Sequence, residues 1–306
     1  MFENRVYLLV VNYNSAKLIG RLIDSLHEHE IKDYRLVIVN NSVRDSELAS
    51  FKNDLTNIIE VNRNLGFGRA CNLGLDWIYR QNSRALVWLI NPDTYFNSMT
   101  KSCTPTDTAI AFFANHPQIS ILGTTVYDAE GKLTSAGGKF VPGAAALAII
   151  DSLPEFTGDY YLTDWTSGCS LLLNLSNFSQ CPSFDPRYFL YYEDLDFCLR
   201  YGKQGHKIAV TPQIKVVHDT SSISDRNLFA KYQYITRSYL IHIEKYGSLG
   251  TFVWANIRML LNIIRLSIFK PQRSWAKLIG FYCYWRSQQK FDLARGAGIE
   301  LKRSFN

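Results

Sequence analysis

Runs rich in Val, Ile and Leu recur at Tyr7 to Val11, Leu36 to Val39, Ile58 to Val61 and Leu86 to Ile90, separated by helix-capable segments such as Ala16 to His29 and Gly68 to Arg80. The runs are continuous rather than alternating, which suits strands covered on both faces, so the expectation is a parallel α/β sheet. Each of three runs ends in a polar cluster: Asn12-Tyr13-Asn14, Asn40-Asn41-Ser42 and Asn91-Pro92-Asp93. Open α/β sheets bind their ligands at the carboxyl ends of the strands, which is where these clusters fall.

Beyond Asp93 the rhythm changes. A short helix near Thr106 to Ala114, a strand at Ile119 to Val126, a Gly-rich passage from Gly137 to Gly158, a strand at Ser170 to Asn174, a helix from Glu193 to Gln204 and a short strand at Ile208 to Val210 predict a mixed sheet with long loops. From Arg226 onward the pattern is helical, over Lys231 to Tyr246, Thr251 to Phe269 and Ser274 to Lys290. A boundary near Tyr246 divides the chain into a catalytic part, residues 1–246, and a helical part, 247–306.

Hydrophobic residues make up 47% of the chain, enough for a large core and against wholesale disorder. Net charge is +6, yet residues 254 to 303 hold ten Lys and Arg against Asp292 and Glu300, so that stretch carries +8 and the remainder −2. This asymmetry argues against a globally basic nucleic-acid binder and for a basic region meeting an anionic surface. The six cysteines form no C-x-x-C pair, so neither a zinc ribbon nor a disulfide framework is signalled and a reducing compartment is expected. The first residues show no basic leader or cleavage site, which places the expected location in the cytosol, on the inner face of the cell membrane.

The chemistry-bearing residues cluster at predicted strand and helix ends. Asp93, in a turn after a strand, has the hard oxygen donors that a divalent cation prefers, and is equally a turn-capping residue. Glu193, Asp194 and Asp196 follow an aromatic run, Tyr188-Phe189-Leu190-Tyr191-Tyr192, at a helix start. They complement the helix dipole there, and one of them in a partly apolar site would make a general base. His218 ends a β-rich run, and its imidazole would suit an ion such as Mn²⁺. Gly66 and Gly68 precede a helix without matching a dinucleotide or Walker pattern; they serve a turn or a close backbone approach to a nucleotide.

Taken in order, VVNYN at Val10 to Asn14, VNNS at Val39 to Ser42, NLGFGRACNLG at Asn64 to Gly74, NPD at Asn91 to Asp93, WTSGCSLLL at Trp165 to Leu173, FDPRYFLYYEDLDFCLR at Phe184 to Arg200 and VVHDTSSIS at Val216 to Ser224 resemble the inverting family 2 glycosyltransferases of the GT-A fold, especially their rhamnosyltransferase-like members. The resemblance implies a GT-A-type, Rossmann-like nucleotide-binding sheet with a mixed acceptor half, followed by C-terminal helices. It implies a nucleoside-diphosphate sugar donor, dTDP-rhamnose or a UDP-sugar, held by Asn12, Tyr13, Asn14, Asn40, Asn41, Asn64, Gly66, Arg69, Asn72, Asn91 and Asp93. Asp93 and His218 stand where members ligate Mn²⁺ or Mg²⁺, and Asp194, beside Glu193, stands where members place the catalytic base. Trp165, Gly168 and Tyr192 fall on the acceptor side, where the implied acceptor is a lipid-linked glycan of O-antigen or capsule synthesis. Two positions depart from the pattern: Asn40 replaces the usual Asp, and NPD replaces the fuller D-x-D. The other class to weigh is a catalytically silent protein of this fold that binds nucleotide sugar or acts as a membrane scaffold.

Within Thr251 to Phe269, Arg258, Asn262 and Arg265 recur at i, i+4 and i+7 on an otherwise apolar helix. A span would bury two Arg at about 2.5–3.5 kcal/mol each, so an interfacial helix is expected, with packing against the catalytic domain or a second subunit of a homo-oligomer as the other use of the same helix.

Overall fold

The computed structural model describes residues 6–31, 33–43, 45–97, 104–219 and 224–296, with side chains to residue 287. Two compact units result, Met1–Val141 with Ala146–Ile223, and Pro142–Ala145 with Ser224–Asn306.

The first unit runs β1 (Val6–Asn12), α1 (Ala16–Glu28), β2 (Tyr34–Asn40), β3 (Thr56–Glu60), α2 (Phe67–Gln81), β4 (Leu86–Ile90), β5 (Thr94–Tyr95), α3 (Pro105–Asn115), β6 (Ile119–Tyr127), β7 (Leu133–Ser135), β8 (Gly138–Val141), β9 (Ala146–Ile149), β10 (Tyr161–Leu162), β11 (Ser170–Asn174), α4 (Glu193–Lys203) and β12 (Lys207–His218). Its main sheet has the order β10-β12-β6-β11-β4-β1-β2-β3, with β5 on β12 and β7 on β6. The block β4-β1-β2-β3 is parallel, as the continuous apolar runs predict. Antiparallel pairing of β11 with both β4 and β6, and parallel pairing of β6 with β12, make the second half mixed.

Every residue of β1 and β4 is buried, because helices and loops cover both faces of the sheet's centre. Helix α1 contributes Ile19, Leu22 and Leu26 to a core that also holds Leu8, Trp88, Phe113, Leu122 and Leu172. Trp88 is wholly buried, yet its Nε1 donates to Ser170 Oγ at 2.9 Å, and Thr124 Oγ1 donates to the same hydroxyl oxygen at 2.9 Å. The large ring is therefore buried with its polar handle satisfied.

Two elements differ from the sequence reading. The predicted three-residue strand at Ile208 to Val210 extends through Pro212 to His218, with a register shift between Thr211 and Lys215. Proline cannot join the ladder, so the strand bulges there and resumes, which carries His218 to the sheet's edge. The Gly-rich passage contains a hairpin, β8 on β9, which lacks the alternating pattern because Ala146 and Ala148 give it little polarity contrast.

The second unit comprises α5 (Leu228–Tyr246), α6 (Leu249–Phe269) and α7 (Pro271–Gly296). Asn227 caps α5 through the Ala230 N–H and Ser248 caps α6 through that of Thr251. Gly280 lets α7 approach α5 closely, since a Cβ there would lie 2.4 Å from Gln233 O. Ser274 Oγ donates to Ile263 O at 2.7 Å and ties α7 to α6.

Candidate active site

At the ends of β1 and β2 the asparagines bond to one another and to nearby loops. Asn12 Nδ2 lies 3.0 Å from Asn40 Oδ1, 3.1 Å from Ser42 Oγ and 2.9 Å from Asp45 Oδ2, while Asn12 Oδ1 accepts from Ser15 N–H. Asn40 Nδ2 donates to Glu60 Oε2 at 2.7 Å, the residue opposite it in the parallel register. Asn41 donates to Asn64 Oδ1 and accepts from Leu65 N–H. These buried amides fix the loops of the strand edge, and Tyr13 and Asn14 are the exposed members of the first cluster. Asp45 and Glu60 were not singled out by the sequence; only the pairing of β2 with β3 brings Glu60 to Asn40.

Helix α2 is joined to the acidic loop by its backbone. Gly66 has φ +83°, and a Cβ there would sit 2.1 Å from Phe189 O, the same carbonyl that accepts the Phe67 N–H at 2.9 Å. The close approach that glycine permits here is to the protein's own chain. Asn72 exchanges two hydrogen bonds with the Phe184 backbone, and Arg69 Nε donates to Pro186 O. Arg69 and Asn72, read from sequence as donor contacts, thus hold the segment that leads to Glu193.

That segment turns sharply into α4. Tyr191 and Tyr192 take φ of +70° and +67°, and Tyr192 occupies the N-cap, a position where extended backbone is usual. Left-handed non-glycine residues cost roughly 1–3 kcal/mol each, and such strain clusters at functional sites. The pair sets the carboxyls of Glu193 and Asp194 at the start of α4. Asp194 Oδ2 accepts the Gly168 N–H at 3.0 Å and Oδ1 accepts its neighbour Leu195 N–H at 2.8 Å. Gly168 also leaves room for Asp194, whose Cβ would lie 3.1 Å from an added Cβ. Asp196 is fully buried on the far side, paired with Arg200 Nε at 3.2 Å, which removes it as a candidate base.

The next residue, Cys169, links this acid to the turn after β4: its carbonyl accepts from Asn91 N–H at 2.9 Å and from Thr94 Oγ1 at 3.4 Å. Asp93 Oδ1 lies 3.1 Å from His218 Nε2, and Asp219 N–H donates to Asp93 O. Asn91 Oδ1 is buried without a hydrogen-bond partner among the described residues. The Gly168–Cys169 peptide thus spans from the Asp194 carboxylate to the Asn91–Thr94 turn.

Electrostatics separate the two adjacent acids. Burial, then repulsion from Asp194, pushes the Glu193 carboxyl up to about 8. Burial also raises Asp194, but the Gly168 and Leu195 N–H groups oppose the rise, and the Trp165 indole adds a favourable field without hydrogen-bond geometry. Asp194 also keeps part of its surface open, whereas Glu193 does not. The proton of the pair therefore resides on Glu193 and the usable charge on Asp194. At His218, burial disfavours the cation, but Cys169 and Asp93 outweigh it and raise the imidazole to about 10.

One consequence is measurable in stability. The Glu193 carboxyl holds its proton more tightly folded, to about 8, than in its ordinary range near 4.5. Its contribution is whole below the lower value and is lost as pH rises through the upper one. Thermal melting of Glu193→Gln beside the parent should show the variant gaining on the parent between about pH 5 and about pH 9. Parallel melting curves across that range would mean that Glu193 is not protonated in the native state.

A mixed sheet with a parallel half, a carboxylate turn beyond β4 and an acid pair opening α4 gives the chain a GT-A-type fold. Solved structures agree: GalNAc-T7 with UDP, GalNAc and Mn²⁺ superposes with a TM-score of 0.58 at 12% identity, covering 95% of this chain and 58% of that one. The mannosyltransferase PcManGT from Pyrobaculum calidifontis, in complex with GDP-Man and Mn²⁺, gives 0.51 at 14% identity, covering 98% and 88%. Residues 7–101 match the model of the family described as glycosyl transferase family 2. Among similar curated proteins, the low-salt glycan biosynthesis hexosyltransferase Agl10 of Haloferax volcanii is 22% identical over 69% of this chain and 66% of its own length. Rhamnosyltransferase WbbL of Escherichia coli K12 is 33% identical over 23% of the chain and 26% of its own. An N-acetylglucosaminyl-diphospho-decaprenol L-rhamnosyltransferase of Mycobacterium tuberculosis is 40% identical over 21% and 20% respectively. The matches thus span less than two thirds of these relatives.

Proposed function

We propose that this chain is an inverting glycosyltransferase that moves a sugar, rhamnose in the favoured case, from dTDP-rhamnose or a UDP-sugar to a lipid-linked glycan of O-antigen, capsule or another surface polysaccharide. The observation that carries this reading is the Asp194 carboxylate, oriented by the Gly168 N–H, in a segment whose next peptide reaches the Asp93 turn. Asp194 accepts the proton of an acceptor hydroxyl as that oxygen attacks the anomeric carbon; the single displacement inverts the centre. Glu193, kept neutral, leaves the negative charge on its neighbour. Trp165, Gly168 and Tyr192 border this carboxylate on the acceptor side. Asn12, Asn40, Asn41, Asn64, Gly66, Arg69 and Asn72 shape the donor edge through the loops they fix, and Tyr13, Asn14 and Asn91 offer it polar groups.

Among the described residues no cluster of three or more metal-ligating side chains exists. Asp93 and His218 nevertheless pair a carboxylate with an imidazole at the strand edge, beside the unsatisfied Asn91 Oδ1. Once the ion displaces the proton that His218 otherwise shares with Asp93, that donor set suits Mn²⁺ or Mg²⁺ completed by diphosphate oxygens and water. Such an ion supplies electrostatic stabilisation of charge developing on the leaving diphosphate. Structures of this fold that hold Mn²⁺ beside UDP or GDP-Man support the assignment. Calorimetric titration with the nucleotide sugar should show Asp93→Ala losing the Mn²⁺-dependent part of donor affinity, about tenfold or more, and His218→Ala weakening it. Full donor affinity and activity in excess EDTA would take the ion out of the reaction.

The catalytic chemistry lies within residues 1–246, and 247–306 carry membrane association; α5 holds none of the site residues. The enzyme works peripherally on the inner face of the cell membrane, where a lipid-linked acceptor is displayed. Transfer assays over a panel of nucleotide sugars with polyprenyl-diphosphate-linked acceptors test the whole reading. Donor binding without turnover on any acceptor would favour a silent binding protein.

A further inference from the structure

Helix α6 is the one helix among the described residues long and apolar enough to cross a bilayer, yet its outward half is bare and its inward half is used. Ala255 and Ile263 are buried within its own unit, and Phe252 meets Tyr284 and Trp285 of α7. On the other side Val253, Trp254, Ile257, Leu261, Ile264 and Ile268 are exposed, Ile268 to 75%. At 3.6 residues per turn these positions fall within about 100° of arc, and Arg258 and Arg265 lie just beyond one border of it rather than inside it. Helix α7 repeats the arrangement: Trp275, Leu278, Tyr282 and Trp285, spaced i, i+3, i+7 and i+10, are exposed in one stripe with exposed Arg286 at its edge. No Asp or Glu occurs from Leu249 to Ser287.

We infer that the outward stripes of α6 and α7 form one membrane-docking surface, on which both helices lie flat in the headgroup region of an anionic bilayer. A span would put Arg258 and Arg265 in hydrocarbon, whereas flat docking leaves each at the rim of the apolar stripe, where it reaches lipid phosphates. The exposed Trp and Tyr rings, apolar with a polar edge, suit the same depth. A second copy of the chain is the poorer occupant: a two-fold contact on this face would set Arg258, Arg265 and Arg286 against their own copies with no acid on either side. An anionic lipid surface instead complements that charge, and the two apolar stripes provide the area-dependent part of the affinity.

This inference rests on the peripheral placement proposed above and is independent of the chemistry assigned to Asp194. The test is sedimentation of the full chain with vesicles of phosphatidylcholine alone or mixed with phosphatidylglycerol. Binding should require the anionic lipid and weaken with salt. Arg258→Gln/Arg265→Gln/Arg286→Gln should weaken it by about 100-fold, at roughly 1 kcal/mol for each charge. Leu261→Gln/Ile264→Gln/Ile268→Gln should abolish it, and both variants should keep donor hydrolysis, which shows that they fold. Quenching of Trp fluorescence by shallow rather than deep brominated lipid should mark the flat orientation; deep quenching would mean a span and overturn the inference. Equal binding to neutral vesicles, or no vesicle binding with a dimer in light scattering that the apolar variant dissociates, would also overturn it. Vesicle binding without sugar transfer from any donor would instead sink only the proposed reaction.

Discussion

Asp194→Asn should lower kcat by about 10²–10⁴ while leaving donor affinity nearly unchanged, because the amide keeps the shape of the carboxylate and cannot take a proton. The Gly168 N–H remains able to donate to the amide oxygen at the position now 3.0 Å away, so the loop should stay in place. Glu193→Gln provides the contrast. Glu193 is already neutral near pH 7, held there by burial and by Asp194, and glutamine reproduces that state. Its kcat should fall much less, and in the parent kcat should drop as the medium is acidified through the Asp194 carboxyl, whose proton affinity burial raises. The decisive measurement is single-turnover transfer with each variant over a pH series. Equal losses in the two variants, or a larger loss at Glu193, would move the base to Glu193.

Much of this arrangement was readable in the sequence, for definite reasons. The buried parallel strands announced themselves because a strand covered on both faces must be apolar throughout, and β4 emerged at Leu86–Ile90 as read. Strand ends were legible too, since Asn12, Asn40 and Asn91 interrupt apolar runs. What those residues bond to was not. Asn40 meets Glu60 through a strand register, and Asn72 meets Phe184 across a long loop; neither partner leaves a local signal. The left-handed pair Tyr191 and Tyr192 was invisible, because nothing about two tyrosines asks for positive φ. Pro212 concealed the length of β12 by breaking the pattern that marks a strand, so Ile208 to Val210 and the β-rich run ending at His218 read as separate pieces. The C-terminal stripe was visible through Arg258 and Arg265, but which half of α6 packs inward is decided by α7.

Gly66→Ala should be strongly destabilising, and a graded alanine series explains why. Gly143 has no unusual backbone angle and nothing within 4 Å of an added Cβ, so Gly143→Ala should be close to neutral or slightly stabilising. Gly158 also faces open space but has φ +99°, so Gly158→Ala isolates the backbone cost, roughly 1–3 kcal/mol. Gly66 combines φ +83° and ψ 169°, a region almost confined to glycine, with a Cβ placed 2.1 Å from Phe189 O. A backbone carbonyl cannot swing aside as a side-chain end would. Either α2 or the Phe189 segment must therefore move, and the bond from Phe67 N–H to that carbonyl goes with it. The expected loss is at least about 3 kcal/mol, or roughly 6–12 °C in Tm for a unit of this size. Because Phe189 leads directly into Tyr191, Tyr192 and Asp194, activity should fall further than the unfolded fraction accounts for, with transfer measured well below the melting range. Melting of Gly66→Ala no lower than that of Gly158→Ala would show that the carbonyl does not press on this glycine, and the tie between α2 and the Asp194 segment would have to be sought elsewhere.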